Sequence, residues 1–454
     1  MIQDIREYIA SVERDRPGDV LRIKEPVDPK YEITAHILEL EKRRMYPILF
    51  FENVKGYDIP IVGNLFPTPD RVAYTLNTTK DKLFGEWLRR EKEPLKPRLV
   101  SSGRVQDVVL VGDEVDCNML PIPTHFEQDG GPYIGSGIFI AKDPDSGARN
   151  LSIHRLQLKE KNRFGTSLHS RRTLWNWQRI AEERGKPLEV AVVIGPPPIV
   201  TIASSWRGPA GQDELEIAGA FAGEPIEIVK CKTVDIEVPA QAEIVLEGEI
   251  LPKVREPEGP LGEYTGYASH QSTQNVVTIR AITHRRKPIF HHITAGFTAE
   301  HEYLGGNMPR SPMIWKAVRD VVPTVKVVAF SASAPIRYFC YISIRKIHEG
   351  QPKQAALAAL GADHGIKMVI VVDDDIDVHN ENEVIWAVST RSQADEDWTI
   401  IPNVMDSILD PSSKGGVSAK VIVDATKPLE GWKAEKATVP EEALVHARKN
   451  LGFA

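Results

Sequence analysis

Apolar residues recur with two different periods along this chain, and the changes of period divide it in three. Near the start, Ile5, Tyr8, Ile9 and Val12 fall on one side of a helical repeat, which predicts an amphipathic helix over 4–13. Positions 33–40 repeat the pattern. Two short apolar runs, 47–51 and 60–63, read as buried strands, so 1–100 is expected to be an α/β domain. From about Val100 the texture changes to short strand-like runs at 108–111, 137–141, 188–194, 227–229 and 242–246, separated by turn residues, as in a β-barrel or sandwich. One helix, 173–184 with Trp175 and Trp177, interrupts them. A barrel with an inserted helix is therefore expected over 101–310. Over 311–454 the α/β texture returns: helices at 313–321 and 354–360, a strand at 325–330, and an almost wholly apolar run at 367–372. Such a run suits a parallel strand covered on both faces. Positions 384–388 fit helix or strand, and the tail from Pro440 fits a short amphipathic helix that packs on a neighbouring copy.

Composition narrows the class. The chain has 454 residues, 42% hydrophobic and 26% charged, ordinary for a globular protein and too long for one core. No apolar stretch is long enough to span a bilayer. The charged, helix-like N-terminus lacks a signal-peptide core, so a cytoplasmic location is expected. A net charge of -7 argues against nucleic acid as a partner, and the basic pair Arg171–Arg172 does not change that. Cys117, Cys231 and Cys340 are too scattered for a disulfide framework and read as small buried residues. No GxGxxG follows a strand and no GxxxxGK[ST] occurs, so neither a dinucleotide nor a P-loop site is signalled. HExxH and GxSxG are also absent.

Several segments carry candidate chemistry. In EPEGPLGEYTGY, 256–267, glycines and prolines favour an irregular loop. Glu258 and Glu263 sit on it. Two carboxylates brought close raise one pKa, so one can hold a proton while the other holds a cation. A solvated turn would carry the same residues. In NLSIHRLQ, 150–157, extended backbone puts Asn150, Ser152 and His154 on one face and Ile153 and Arg155 on the other. An arginine inside a barrel needs an anion, which a substrate carboxylate and a neighbouring Glu supply, whereas an edge strand would leave it in water. The small residues Ala203, Ser204 and Ser205, with Trp206, suit a phosphate or a monovalent cation, or a plain polar turn. His169, on the loop 167–170, and Glu214 are candidate metal ligands, although a lone His is more often only a surface residue. An Asn/His/Glu set favours Mn or Mg over Zn. The acidic run 373–377 either binds a divalent ion or caps a strand end and the next helix.

Taken in order, the chain resembles the UbiD family. FENVKGYDIP at 51–60 and GNLF at 63–66 resemble its N-terminal domain. VKC at 229–231, VPA at 238–240 and EIVLEG at 243–248 resemble its usual lead into the PEGP loop at 257–260. VVDDDID at 371–377 and IWAVSTR at 385–391 match late in the chain.

The resemblance implies a multidomain α/β (α+β) protein with an N-terminal α/β domain, a central split β-barrel that binds flavin and a C-terminal α/β domain used for oligomerisation. It implies reversible decarboxylation of an α,β-unsaturated, aromatic or heteroaromatic acid through a covalent prenylated-FMN adduct. A UbiX-type flavin prenyltransferase would supply the cofactor. The phosphate would be held through Mn2+ or Mg2+ and K+. The family's metal ligands fall on Asn150, His169 and Glu214. Its cofactor contacts fall on Ser152, Ile153, His154, Arg155, Ala203, Ser204, Ser205 and Trp206, where Trp206 replaces an expected Met or Leu. Its catalytic set falls on Arg155, Glu258 and Glu263: Arg155, held by Glu258, orients the substrate carboxylate, and Glu263 donates the proton. The distal pocket is expected from Tyr264, His291, His292, Asn307 and Arg310, whose polarity hints at a second polar or anionic substrate group. A homo-oligomer, dimer or hexamer, is expected. An ordinary FMN oxidoreductase is the rival reading, but it needs a donor site for which no fingerprint exists.

Overall fold

The computed structural model describes residues 2–169, 172–209 and 211–453; Ser170 of the candidate loop and Arg171 of the basic pair lie outside them. Four sheets carry the architecture. The first has the strand order Val20–Ile23, Ile48–Phe51, Ile61–Gly63, Phe290–His292. The early part of the chain thus does not close its own sheet: a strand from beyond 289 completes it in parallel with Ile61–Gly63. The predicted first helix forms as Ile5–Asp15. Asp4 caps it by accepting the N–H groups of Arg6 and Glu7, and Ile5, Tyr8, Ile9 and Val12 are its buried face. Two further helices, Pro69–Thr75 and Lys80–Arg90, lie in stretches whose apolar residues are too sparse to announce them.

The centre is a nine-stranded antiparallel sheet. Its spine is the pair Ile244–Glu258 and Ser272–His284, whose register shifts twice along its length. The helix Thr173–Glu183 packs Leu174, Trp177 and Ala181 into the adjoining core. Two expectations change here. Glu258 is not on an irregular loop: it ends the 15-residue strand Ile244–Glu258, because Glu256–Glu258 pair with Ser272–Gln274 despite the local proline. The 150–157 segment is not one strand either. Arg149–Ile153 and Leu156–Glu160 are separated by a break at His154 and Arg155, where the His154 N–H turns to the carbonyl of Gly137. A short helix, Pro198–Ala203, leads into the small polar residues Ser204 and Ser205.

The last sheet has five strands, Val325–Phe330, Phe339–Ile344, Met368–Asp373, Val417–Ala425 and Trp398–Met405. Met368–Asp373 pairs in parallel on both sides. Val369 and Val371 enter one core, Ile370 and Val372 the other, which is why the run is apolar throughout. The ambiguous 384–388 stretch belongs to the helix Glu381–Arg391. Its Arg391 pairs with Asp373 and Asp375, so the acidic run is neutralised by an arginine, and the helix cap is Asn380 instead. Cys117 and Cys340 are buried as expected; Cys231 is only half-buried. The helix Glu441–Leu451 buries none of its residues against the rest of the chain. Among the described residues no helix is long and apolar enough to cross a membrane.

One carboxylate ties the first sheet to the end of the central unit. Buried Glu300 accepts the N–H groups of Asn64, Leu65 and Phe66 at 2.9, 2.6 and 3.0 Å. This gives the GNLF motif a physical role. Glu300→Ala orphans three buried donors, and a chemical-denaturation midpoint should report a loss of about 2–4 kcal/mol. Glu93→Ala, at an exposed position, should leave that midpoint unchanged.

Candidate active site

Arg155 occupies the break between two strands, and the backbone there is held: Thr166 Oγ1 donates to the Arg155 carbonyl at 2.8 Å. Its side chain meets Glu258 in a parallel two-bond contact, Nε to Oε1 at 2.9 Å and Nη2 to Oε2 at 2.7 Å. Such pairing fixes the plane of the guanidinium as well as its position. Glu258 is wholly buried at the end of its strand and accepts a further bond from the Tyr133 hydroxyl at 3.1 Å. The remaining guanidinium edge, Nη1, donates to Glu263. Glu263 comes from the loop that follows, anchored by the Gly259 N–H on Gln157 and the Gly262 N–H on Asp129.

Three groups with a net negative charge therefore share one buried site. Burial raises the pKa of Glu263, the Arg155 guanidinium opposes this, and the charges of Glu258 and Asp129 add to the rise, leaving it at about 6. The outer side of Glu263 gives onto a cleft of about 200 Å³ lined by Leu38, Phe126, Gly262, Tyr267 and Phe297. The arrangement can bind a carboxylate on Arg155, and it keeps a carboxyl beside it that exchanges a proton near neutrality.

Asn150 and Glu214 are brought together across 64 residues. The Asn150 amide donates to Glu214 Oε1 at 2.8 Å and the Leu151 N–H to Oε2 at 2.7 Å. Glu214 stands in the first turn of a helix capped by Asp213. Burial pushes its pKa up to about 8, the condition of a carboxylate that lacks a cation. That fits a metal ligand with an amide oxygen beside it. His169 is tied to neither by a hydrogen bond. It is accessible to solvent yet surrounded by protein, as a residue lining a concave surface is. Its crowding and the charges of Arg155, Arg172, Arg337 and Arg207 hold it at about 4, so it is a neutral donor. His154 Nε2 lies 2.9 Å from Ser152 Oγ, and its pKa is likewise lowered, to about 3, by burial and then by His169. Among the described residues no three His, Cys, Asp or Glu side chains converge as metal ligands, so a site here needs Asn150. Ser204 and Ser205 donate to the carbonyls of Thr201 and Ile202, which leaves their oxygens free to accept or to coordinate. Trp206, where a smaller apolar residue was expected, lies flat against Gly208 and donates to Glu91.

The expected distal residues do not form one cluster. Tyr264 donates to Ser407 at 2.9 Å, and the Arg337 guanidinium lies 5.8 Å from its ring. Arg310 pairs with buried Asp363 at 2.6 Å. His291 and His292 are buried on the strand that completes the first sheet, and burial keeps both imidazoles neutral, His291 at about 3. Asn307 closes the π-helical turn Tyr303–Asn307, its Oδ1 without a partner. Asp129, Arg207, Arg337 and Asp363 join the site without having been singled out in the sequence. Each lies far along the chain from what it faces, and none carries a local spacing signal.

Family models match the chain in three consecutive parts. They are described as the N-terminal, Rift-related and C-terminal domains of 3-octaprenyl-4-hydroxybenzoate carboxy-lyase, and they cover residues 13–91, 98–297 and 303–425. The chain belongs to the UbiD family. It is an enzyme of that family's decarboxylase class. Anhydromevalonate phosphate decarboxylase of Methanothermobacter thermautotrophicus is 36% identical over 91% of this chain and 96% of its own. The UbiD-class enzyme HmfF of Pelotomaculum thermopropionicum, in complex with FMN, superposes with a TM-score of 0.91 at 43% identity, covering 97% of this chain and 98% of its own. An evolved dimeric form of HmfF, in complex with prFMN, gives 0.88 at 40% identity over the same shares.

With Arg155 gone, two buried UbiD-site carboxylates lose their cation. Arg155→Met should destabilise the protein by about 3–5 kcal/mol at neutral pH. Without the guanidinium Glu263 holds its proton more firmly, so stability is present when it is protonated and lost as pH rises. The deficit against wild type should therefore shrink on acidification to pH 5, below the value of about 6 held by Glu263 in the wild type, in melts run across that range.

Proposed function

We propose that this UbiD-family enzyme decarboxylates an α,β-unsaturated, aromatic or heteroaromatic acid with the help of prenylated FMN, reversibly. The single observation that carries the reading is Arg155 clasped by Glu258 on one edge and touched by Glu263 on the other. Glu258 holds the guanidinium flat, so a substrate carboxylate meets a preset pair of donors. That carboxylate competes with Glu263 for Nη1. Displaced from its cation, Glu263 binds a proton more firmly. When the bond to CO2 breaks, the electron pair stays on the substrate carbon, and the Glu263 O–H delivers its proton to that carbon. Water in the adjoining cleft then returns a proton to Glu263. The prenylated flavin, when bound, supplies the electron sink for the loss of CO2.

Ser152, Ile153, His154, Ala203, Ser204, Ser205 and Trp206 would hold the cofactor. Asn150, His169 and Glu214 would hold Mn2+ or Mg2+ against its phosphate, with K+ beside the serines. The neutral imidazoles and the cation-starved Glu214 support that assignment. A UbiX-type prenyltransferase would supply the flavin. The unpacked C-terminal helix, with Leu444, Val445, Leu451 and Phe453 exposed, supports a homo-oligomer, a dimer or a hexamer.

A second anionic or polar group on the substrate is also part of the proposal. Arg207, Arg310 and Arg337 gather around Asp363, and among the described residues Arg207 has no carboxylate partner. Burial and like-charged neighbours lower Arg310 to about 10, the condition of an under-neutralised cluster. The phosphorylated substrate named for the Methanothermobacter relative supports it too.

Protein co-produced with a flavin prenyltransferase should carry FMN plus one prenyl unit by mass spectrometry; plain reducible FMN would instead favour an oxidoreductase. In that holoenzyme Glu263→Gln should lose at least about 100-fold in CO2 release. Glu263→Asp should retain measurable turnover. The wild-type rate should fall as pH rises through the value of Glu263, about 6 in the free protein, because the protonated form is the donor. Mn2+ should raise the melting temperature of flavin-free protein, more at pH 8 than at pH 6, because Glu214 must lose a proton it holds up to about 8. Glu214→Gln should abolish that gain.

A further inference from the structure

The catalytic loop rests on a segment with no role in the reaction described above. Residues 125–131 form its cradle. Gly130 donates to the Pro260 carbonyl at 2.8 Å. The Phe126 ring fills the space a side chain at Gly262 would take, since a Cβ there would lie 2.3 Å from the ring. At the centre is Asp129, whose side chain is wholly buried. Its Oδ2 accepts the N–H groups of His125 and Phe126, both at 3.0 Å. Its Oδ1 accepts the Gly262 N–H at 2.9 Å, one residue before Glu263.

The side chain that faces Asp129 is His125, whose Nδ1 lies 3.4 Å from Oδ2; among the described residues neither of its ring nitrogens makes a hydrogen bond elsewhere. The far face of that imidazole stacks on His292, itself neutral, at 4.9 Å. Burial opposes ionisation of Asp129, but His125 and the N–H groups of Gly262 and Phe126 together hold its carboxyl below the usual range, so it is an anion whose charge adds a small rise at Glu263. On Glu263, burial favours the protonated form most, Arg155 favours the ionised form, and Glu258 and Asp129 oppose Arg155.

We propose that Asp129 is a positioning residue for the proton donor: it fixes the loop through Gly262 and sets a buried negative charge behind the backbone that carries Glu263. This rests on reading Glu263 as the donor. A purely structural anchor would hold the loop equally well without its charge, and that difference is testable. Asp129→Asn removes the charge and keeps the Oδ1 acceptor for Gly262, although its NH2 no longer accepts from the His125 and Phe126 N–H groups.

The expected result in the prenyl-flavin holoenzyme is that the alkaline limb of the kcat/KM profile moves down by about one pH unit. Two units above the limb, kcat falls about tenfold while KM changes little, because Arg155 still takes the carboxylate. In flavin-free protein the carboxyl stretch of Glu263, assigned by its loss in Glu263→Gln, should titrate lower by the same amount in infrared difference spectra. Asp129→Ser, smaller and also uncharged with an acceptor, should shift the limb the same way and serves if the Asn protein does not fold. A limb and a carboxyl titration that stay in place, with Glu263→Gln inactive, overturn the role of Asp129 alone. A Glu263→Gln enzyme with wild-type turnover overturns the donor reading beneath it.

Discussion

One guanidinium between two buried carboxylates sets the terms for the rest of this protein. Arg155 neutralises Glu258 through two bonds, and Glu263 is left to share what remains. A buried excess of negative charge is unstable unless one carboxyl takes up a proton or another cation arrives. The site is thus poised: it accepts a proton near neutrality, and an incoming carboxylate on Arg155 sharpens the demand. The backbone around it is arranged so that this tension is not relieved by movement. The Arg155 carbonyl is held by Thr166, Glu258 by Tyr133, and the loop start by Gln157.

The two carboxylates differ because their supports differ. Glu258 ends a 15-residue strand that is paired up to its last residue, so its carboxyl is fixed in place by the ladder. Glu263 stands on a loop closed by its own short bonds, the Glu263 N–H on Tyr267 and the Ser269 N–H on Leu261. A residue that only steadies a cation gains from rigidity. The donor role proposed for Glu263 would have it exchange that cation for a proton, and a loop residue has more freedom to do so than one fixed in a ladder. Gly262 beside Glu263 lets the loop lie close to Phe126 without a steric penalty.

Much of this was legible in order along the chain, and the failures have a common cause. Periodicity found the first helix and the doubly covered strand Met368–Asp373 because both signals are local. The loop glycines and prolines marked 256–267 correctly as special, yet Glu258 is a strand residue, since only its pairing with Ser272 decides that. Arg155 was placed by alternation on a strand face, whereas it sits in a break made by a bond from His154 to Gly137. Trp206 was read as a departure from pattern; its indole partner Glu91 lies 115 residues away. Asp129, in a run with no local signal to single it out, acquires its meaning from a glycine 133 residues later. Contacts of that range leave no spacing in a single sequence.

The third unit of the chain bears on the same balance of charge. Tyr264, next to the proton-exchanging carboxyl, is held from the far side by Ser407 and stacks edge-on with Tyr338 at 5.9 Å. Arg337 lies over its ring and shares Asp363 with Arg310, while Arg207 reaches the same cluster from the central unit. So the Arg155–Glu258–Glu263 site, with one cation for two carboxylates, is followed in the chain by a tyrosine that meets a cluster of arginines around Asp363. Within one chain the two imbalances could have cancelled by direct pairing. Tyr264, which follows Glu263 in the chain, instead carries the Arg337 guanidinium 5.8 Å from its ring. The proposed acid substrate with a second anionic group would meet both, one end on Arg155 and the other among the arginines. Charge complementarity of that kind would favour it over a purely apolar acid.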